Sequence, residues 1–299
     1  MTTTAEQQAL QKDIAILEKQ LEDAKQKLAI HHSLPNGVIH DSFPPFFDST
    51  STLHTLLLLS DSALPLGSFA FSSGLESYLA HHPRTQTRTQ HSLFHTFLNL
   101  SLQSLASTAV PYVLAAYRHP EDILGLDNDF DASTPCTVAR RASVAQGKAL
   151  MGVWERSFRA HYSTNSTVED HRIPDAIAVL EAFSSSLRTP PQGDPYPPNG
   201  HLPPLWGIIT RILALPLHDT AYLFLFSHAR TVVSAAVRAS VLGPYQAQSV
   251  LASRELRGRI EELVGRYWDT RPEDAGQSVP VLDLWVGRHE CLYSRIFNS

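Results

Sequence analysis

The chain has 299 residues, 43% apolar, 18% charged and 9% aromatic, with a formal net charge of −5. That balance supports a sizeable folded core and excludes a largely disordered chain, and the mild negative charge argues against nucleic acid as the main partner. Two cysteines in so long a chain, Cys136 and Cys291, exclude a disulfide scaffold and point to a reducing compartment.

The first residues carry both charge signs and no apolar run before a small-residue cleavage site, so the expectation is a cytoplasmic protein. Leu10, Ile14, Leu17, Leu21, Ala24 and Leu28 alternate spacings of four and three. This heptad seam predicts a helix over 1–30, able to pair with a second copy or to lie on the body. Residues 31–50, with Pro35, Asn36-Gly37 and Pro44-Pro45, read as a linker. The body then runs from 51 to 299.

Proline costs about 3 kcal/mol inside a helix, so its absence marks helical stretches. Proline-free windows cover 84–110, 136–173, 217–243, 245–271 and 281–299. Phe94, Phe97, Leu98, Leu102, Leu105 and Ala109 share one face, as do Leu150, Val153, Trp154 and Phe158. A third face, from Ala221 through Phe224, Leu225, His228, Val232, Ala235 and Ala236 to Ala239, is apolar enough to place that helix centrally. With no alternating strand pattern and no hairpin signal, the body is predicted to be one all-α helical bundle. Ser73 to Glu76 has the form of a capping box, Pro120 with Glu121 and Asp122 that of a helix start, and Gly243-Pro244 that of a stop and restart. Residues 189–204 hold seven of the twenty prolines and read as a loop within the bundle. The most apolar stretch, 205–242, is broken by Arg211, His218, Asp219, His228, Arg230 and Arg238, so no membrane span is expected.

Chemistry-bearing patterns are sparse. Ala70 to Gly74 is one residue short of a nucleophile elbow and lacks the strand that an elbow needs, which leaves a hydrolase built on Ser72 as a minor alternative. His91 and His95 stand one helical turn apart with Asn99 continuing the face, but no H-E-x-x-H or C-x-x-C completes a ligand set, so no dedicated metal site is expected. Neither phosphate-binding loop pattern occurs, so the chain is not expected to bind nucleotide itself. Arg140 to Leu150 and Ser234 to Pro244 set Arg141, Gln146 and Arg238 among small residues, where helices approach closely and polar side chains need partners.

Taken together, these segments resemble a known family. Leu56 to Glu76 (LLLLSDSALPLGSFAFSSGLE) is similar to the opening motif of the urease accessory protein UreF. The resemblance continues through 141–150, through Leu202 to Gly207 (LPPLWG), through Ala235 to Arg238 with Leu242 to Pro244, and through the tail His289 to Ser299 (HECLYSRIFNS). It covers roughly 52–299; the heptad segment, its linker and the proline-rich insert depart from it.

The resemblance implies an all-helical, non-catalytic adaptor that joins UreD (UreH in some species) and the GTPase UreG to apo-urease. It would help insert nickel, holding no cofactor of its own while nickel transits the complex, and would act as a homodimer. A metallochaperone binding nickel directly through histidines is the alternative. The implied partner-binding residues are Gly67, Ser68, Phe69, Glu76, Arg141, Ser143, Gln146, Arg238, Tyr293 and Phe297. Within that set Gly67 would turn the chain, with Ser68 and Glu76 ordering the helix start. Arg141 and Arg238 would either reach the GTPase or stabilise the bundle. Phe297 and the tail would be mobile alone and ordered by a UreD-like partner.

Overall fold

A computed structural model describes residues 49–82, 89–162, 172–190, 193 and 195–298. The heptad segment, nearly all of the linker, and parts of the polar stretch 162–173 and of the proline-rich insert lie outside them. Every regular element among the described residues is helical, so the body is all-α.

Helix α1 spans Ser49–Ser60, and a 3-10 turn, Ser68–Ala70, leads to the short α2, Leu75–His81. Helix α3, Gln90–Thr108, starts where the Thr89 side chain accepts the Ser92 amide at 3.2 Å. It buries Phe94, Phe97, Leu98 and Leu102, the face its periodicity predicts. Helix α4, Val110–Arg118, follows at once with Pro111 in its first turn, where the missing amide proton costs nothing. The predicted start at Pro120 is a 3-10 turn that feeds α5, Ile123–Ser133. Helix α6, Thr137–Val153, widens into a π turn at Trp154–Phe158 and buries Leu150, Val153, Trp154 and Phe158.

After α7, Arg172–Arg188, the proline-rich insert ends by starting a helix. Pro203 and Pro204 form the first turn of α8, Leu202–Ile212. All residues of α8 from Pro203 to Ile212 are buried, and its principal neighbours are α4 and α6. The centre of the bundle is therefore α8 as much as α9, Leu217–Arg238, which the apolar face alone had placed there. Glycines make this closeness possible. A Cβ on Gly207 would sit 2.3 Å from the Val113 carbonyl oxygen of α4. One on Gly147 of α6 would sit 2.1 Å from the Gly200 carbonyl oxygen.

Helix α9 ends before Gly243: Ser240 takes a left-handed φ of 57°, and Gly243 caps the start of α10, Pro244–Leu251, instead. The window 245–271 holds two helices, because the Ser253 hydroxyl accepts the Leu256 amide at 3.1 Å and starts α11, Arg254–Tyr267. Helix α12, Val281–Arg288, packs on α2 and α6 and delivers the C-terminal tail to the motif loop.

Candidate functional site

The motif loop and the tail meet, and Glu76 is the hub. Ser73 adopts a left-handed φ of 53°, so it cannot form the expected capping box; the Ser72 hydroxyl sits 3.4 Å from the Glu76 amide in its place. The Glu76 carboxylate turns toward the tail. It accepts His289 Nε2–H at 2.9 Å, the Ile296 amide at 2.8 Å and the Phe297 amide at 3.3 Å. The Asn298 amide continues the line to the Ala70 carbonyl at 2.8 Å. These tail amides have no helical partner, and an ionised carboxylate satisfies them with bonds worth about 1.5–3 kcal/mol each.

Two arginines close the clasp. Arg238 donates to the Phe69 carbonyl while its guanidinium lies 4.3 Å from the centre of the Phe297 ring, which is 5% exposed. Arg141 pairs with Glu290 at 2.5 Å, holding that carboxylate below its usual pKa. The tail, expected to be ordered by a partner, makes its contacts here with the chain's own residues. Glu76 and Phe297, expected to face a partner, are instead engaged within the chain. Gly67, with a left-handed φ of 68°, makes the turn expected of it. Among the residues the clasp leaves exposed are three large apolar ones, Phe69, Ile296 and the fully exposed Tyr293, beside Arg141, Glu290 and Arg295.

The remaining motif residues face inward. The Ser68 hydroxyl donates to Gln146 Oε1 at 3.0 Å, tying the loop to α6. Ser143 Oγ lies 3.1 Å from His201 Nδ1, and His201 Nε2 lies 2.9 Å from Asp131. The fully buried Asp127 accepts the amides of Asn199, Gly200 and His201. This network fastens 199–201, the chain that Gly147 lets approach.

Alongside lies a cavity of about 230 Å³ bordered by α3, α6, α8, α9 and α12, its wall rich in serine and threonine hydroxyls. His228 lines it, bonded to Ser101 Oγ at 2.6 Å, with its pKa pushed down to about 4 by burial. Asp283, also on the wall, is pushed up by burial. Both groups are thereby biased toward neutrality.

Ser143, His201 and Asp131 have the composition of a hydrolytic triad but the geometry of a brace. Ser143 Oγ also receives the Leu202 amide at 3.3 Å, and Asp131 is gripped by Arg140 through two nitrogens. Ser72, the nucleophile of the hydrolase alternative, is fully buried, and helix α1 occupies the place of the strand an elbow requires.

Among the described residues, His119, Glu121 and Asp122 bring ligand atoms within 4.8 Å of one another, on an exposed turn. His91 and His95 face each other with ring centres 4.5 Å apart. Burial lowers the His95 pKa, the neighbouring His91 charge adds to this, and Glu255 opposes it. Nothing in the local sequence gives His201 or His289 a buried partner. Only His228, on an otherwise apolar helix face, carried a signal that a buried polar partner was required.

Comparison with known proteins places this architecture. The UreF family model matches residues 89–255. An uncharacterized urease accessory protein UreF-like of Schizosaccharomyces pombe is 38% identical over 252 residues, covering 84% of this chain and 99% of that protein. Urease accessory protein UreF of Paenarthrobacter aurescens is 29% identical over 243 residues, covering 81% and 95%. Urease accessory protein F of Oryza sativa subsp. japonica is 28% identical over 241 residues, covering 80% and 82%. A family model that spans more than half of the chain, together with relatives matched nearly end to end, settles the assignment: the chain belongs to the UreF family of urease accessory proteins.

Proposed function

We propose that this protein is a non-catalytic adaptor for nickel insertion into apo-urease. It bridges a UreD/UreH-like protein and the GTPase UreG, and couples the nucleotide state of the GTPase to nickel release. The protein works as a homodimer in the cytoplasm and holds no cofactor; nickel passes through the complex as cargo.

One observation carries this reading: a tail hydrogen-bonded to the motif loop, with Phe69, Ile296 and Tyr293 left exposed. Exposed aromatic and aliphatic side chains on a pre-ordered base are what an interface hot spot requires. The polar clasp beneath them does the ordering before a partner arrives, which lowers the entropic cost of association. Among the described residues no helix is long and apolar enough to cross a membrane.

The test is complementation in a urease-positive host whose own UreF-type gene is deleted. The intact chain restores urease activity at limiting nickel. A chain lacking 289–299 does not, while keeping its helical circular dichroism. Full urease activity with the truncated chain refutes the reading.

A further inference from the structure

The cleft between α3 and the α10–α11 junction holds ligands that the protein itself leaves unused. Its volume is about 230 Å³, with His91, His95 and Asn99 on one wall and Gln246, Ser253 and Glu255 on the other. Gln246 and Ser253 are engaged as helix caps, bonded to the amides of Gly243 and Leu256. The side chains of His91, His95, Asn99 and Glu255 make no hydrogen bond within the described residues, whereas those of His81, His82, His201, His218, His228 and His289 all do. Two imidazoles one helical turn apart, with ring centres at 4.5 Å, form the chelating pair that helical metal sites use. Glu255 stands across the cleft, near enough for its charge to act on His95.

We propose that His91, His95 and Glu255 form a binding site for one divalent late first-row transition ion. Two imidazole nitrogens and one carboxylate suit zinc, nickel or cobalt and disfavour magnesium and calcium, which take oxygen ligands. Three protein ligands leave a coordination position open, to water or to a donor from another molecule. The pair is preformed on α3. In this structure the ligand atoms of the three groups do not all lie within 4.8 Å of one another, so binding requires the exposed Glu255 side chain to move across the cleft. The exposed turn at His119 offers one imidazole with two carboxylates, a harder donor set that suits a late transition ion less well. The proposal is independent of the adaptor reading and stands or falls without it.

Calorimetric titration of the full chain with Zn²⁺ alone, in metal-free buffer, tests it. The wild type takes up one equivalent that the His91→Ala/His95→Ala variant lacks, and Glu255→Gln weakens that equivalent by about tenfold. Mg²⁺ at the same concentrations gives no heat. If the double variant melts lower than the wild type without metal, His91→Gln, at an exposed position, replaces it and is expected to lose the same equivalent. Equal zinc stoichiometry and affinity in the wild type and the histidine variant overturn the site. An unchanged Glu255→Gln isotherm overturns its three-ligand form.

Discussion

Glu76 shows how one carboxylate organises a surface. Its two oxygens take three donors from the tail, the farthest 221 residues away in sequence, so its effect belongs to tertiary structure rather than to helix α2. Glu76→Gln keeps the size but sets an amide NH2 against at least one of those donors. The expected outcome is a loss of about 2 kcal/mol in denaturant unfolding, together with faster hydrogen exchange at the Ile296, Phe297 and Asn298 amides.

His228 gives a second expectation, in pH. Burial holds its folded-state pKa at about 4 against an ordinary 6.5, so between those values the unfolded chain binds a proton that the folded chain refuses. Stability from this group is complete above about 6.5, declines as pH falls toward 4, and changes no further below it, a total of roughly 3 kcal/mol. His228→Gln can keep a hydrogen bond to Ser101 but does not titrate. Its melting temperature is expected to fall less steeply than that of the wild type between pH 6.5 and 4. Parallel curves for the two proteins would contradict this role.

At the scale of elements, the bundle depends on contacts too close for a side chain. Gly207→Ala forces a Cβ against the α4 backbone, and Gly147→Ala forces one against the Gly200 carbonyl; neither obstacle is a flexible side chain. Each is expected to cost about 3 kcal/mol, read from the denaturation midpoint. Ala substituted at Gly152, whose Cβ would meet nothing within 4 Å, serves as the control and is expected to leave the midpoint nearly unchanged.

Helices whose faces repeat every three to four residues were legible from sequence, as α3 and α6 were. Features that depend on backbone angle or on distant chain were not. Ser73 matched a capping pattern but is left-handed, and Ser240 ends α9 without being glycine. The break at Ser253 has no proline to announce it. The residues around Glu76 were legible as a motif, yet its purpose was not, because its partners lie more than 200 positions downstream. Likewise, nothing local told that His201 would meet both Ser143 and Asp131.

For the whole molecule, the polar side chains divide into two jobs. Asp127, Asp131, Ser143, His201 and Gln146 brace the interior, whereas Glu76, Arg141, Arg238 and His289 hold the tail down. The bracing group faces the fold, and the clasping group leaves Phe69, Tyr293 and Ile296 exposed. The proposed docking of a UreD/UreH-like partner on these residues separates cleanly from folding because Tyr293 and Ile296 are exposed.

The most direct measurement is the affinity of the purified chain for a UreD/UreH-like protein, by calorimetry or surface capture, for wild type and for Tyr293→Ala/Ile296→Ala. The expected result is a loss of at least about tenfold in affinity, the 1.4 kcal/mol or more that removing hot-spot side chains costs, with an unchanged melting temperature. Equal affinity of the two proteins would contradict the account.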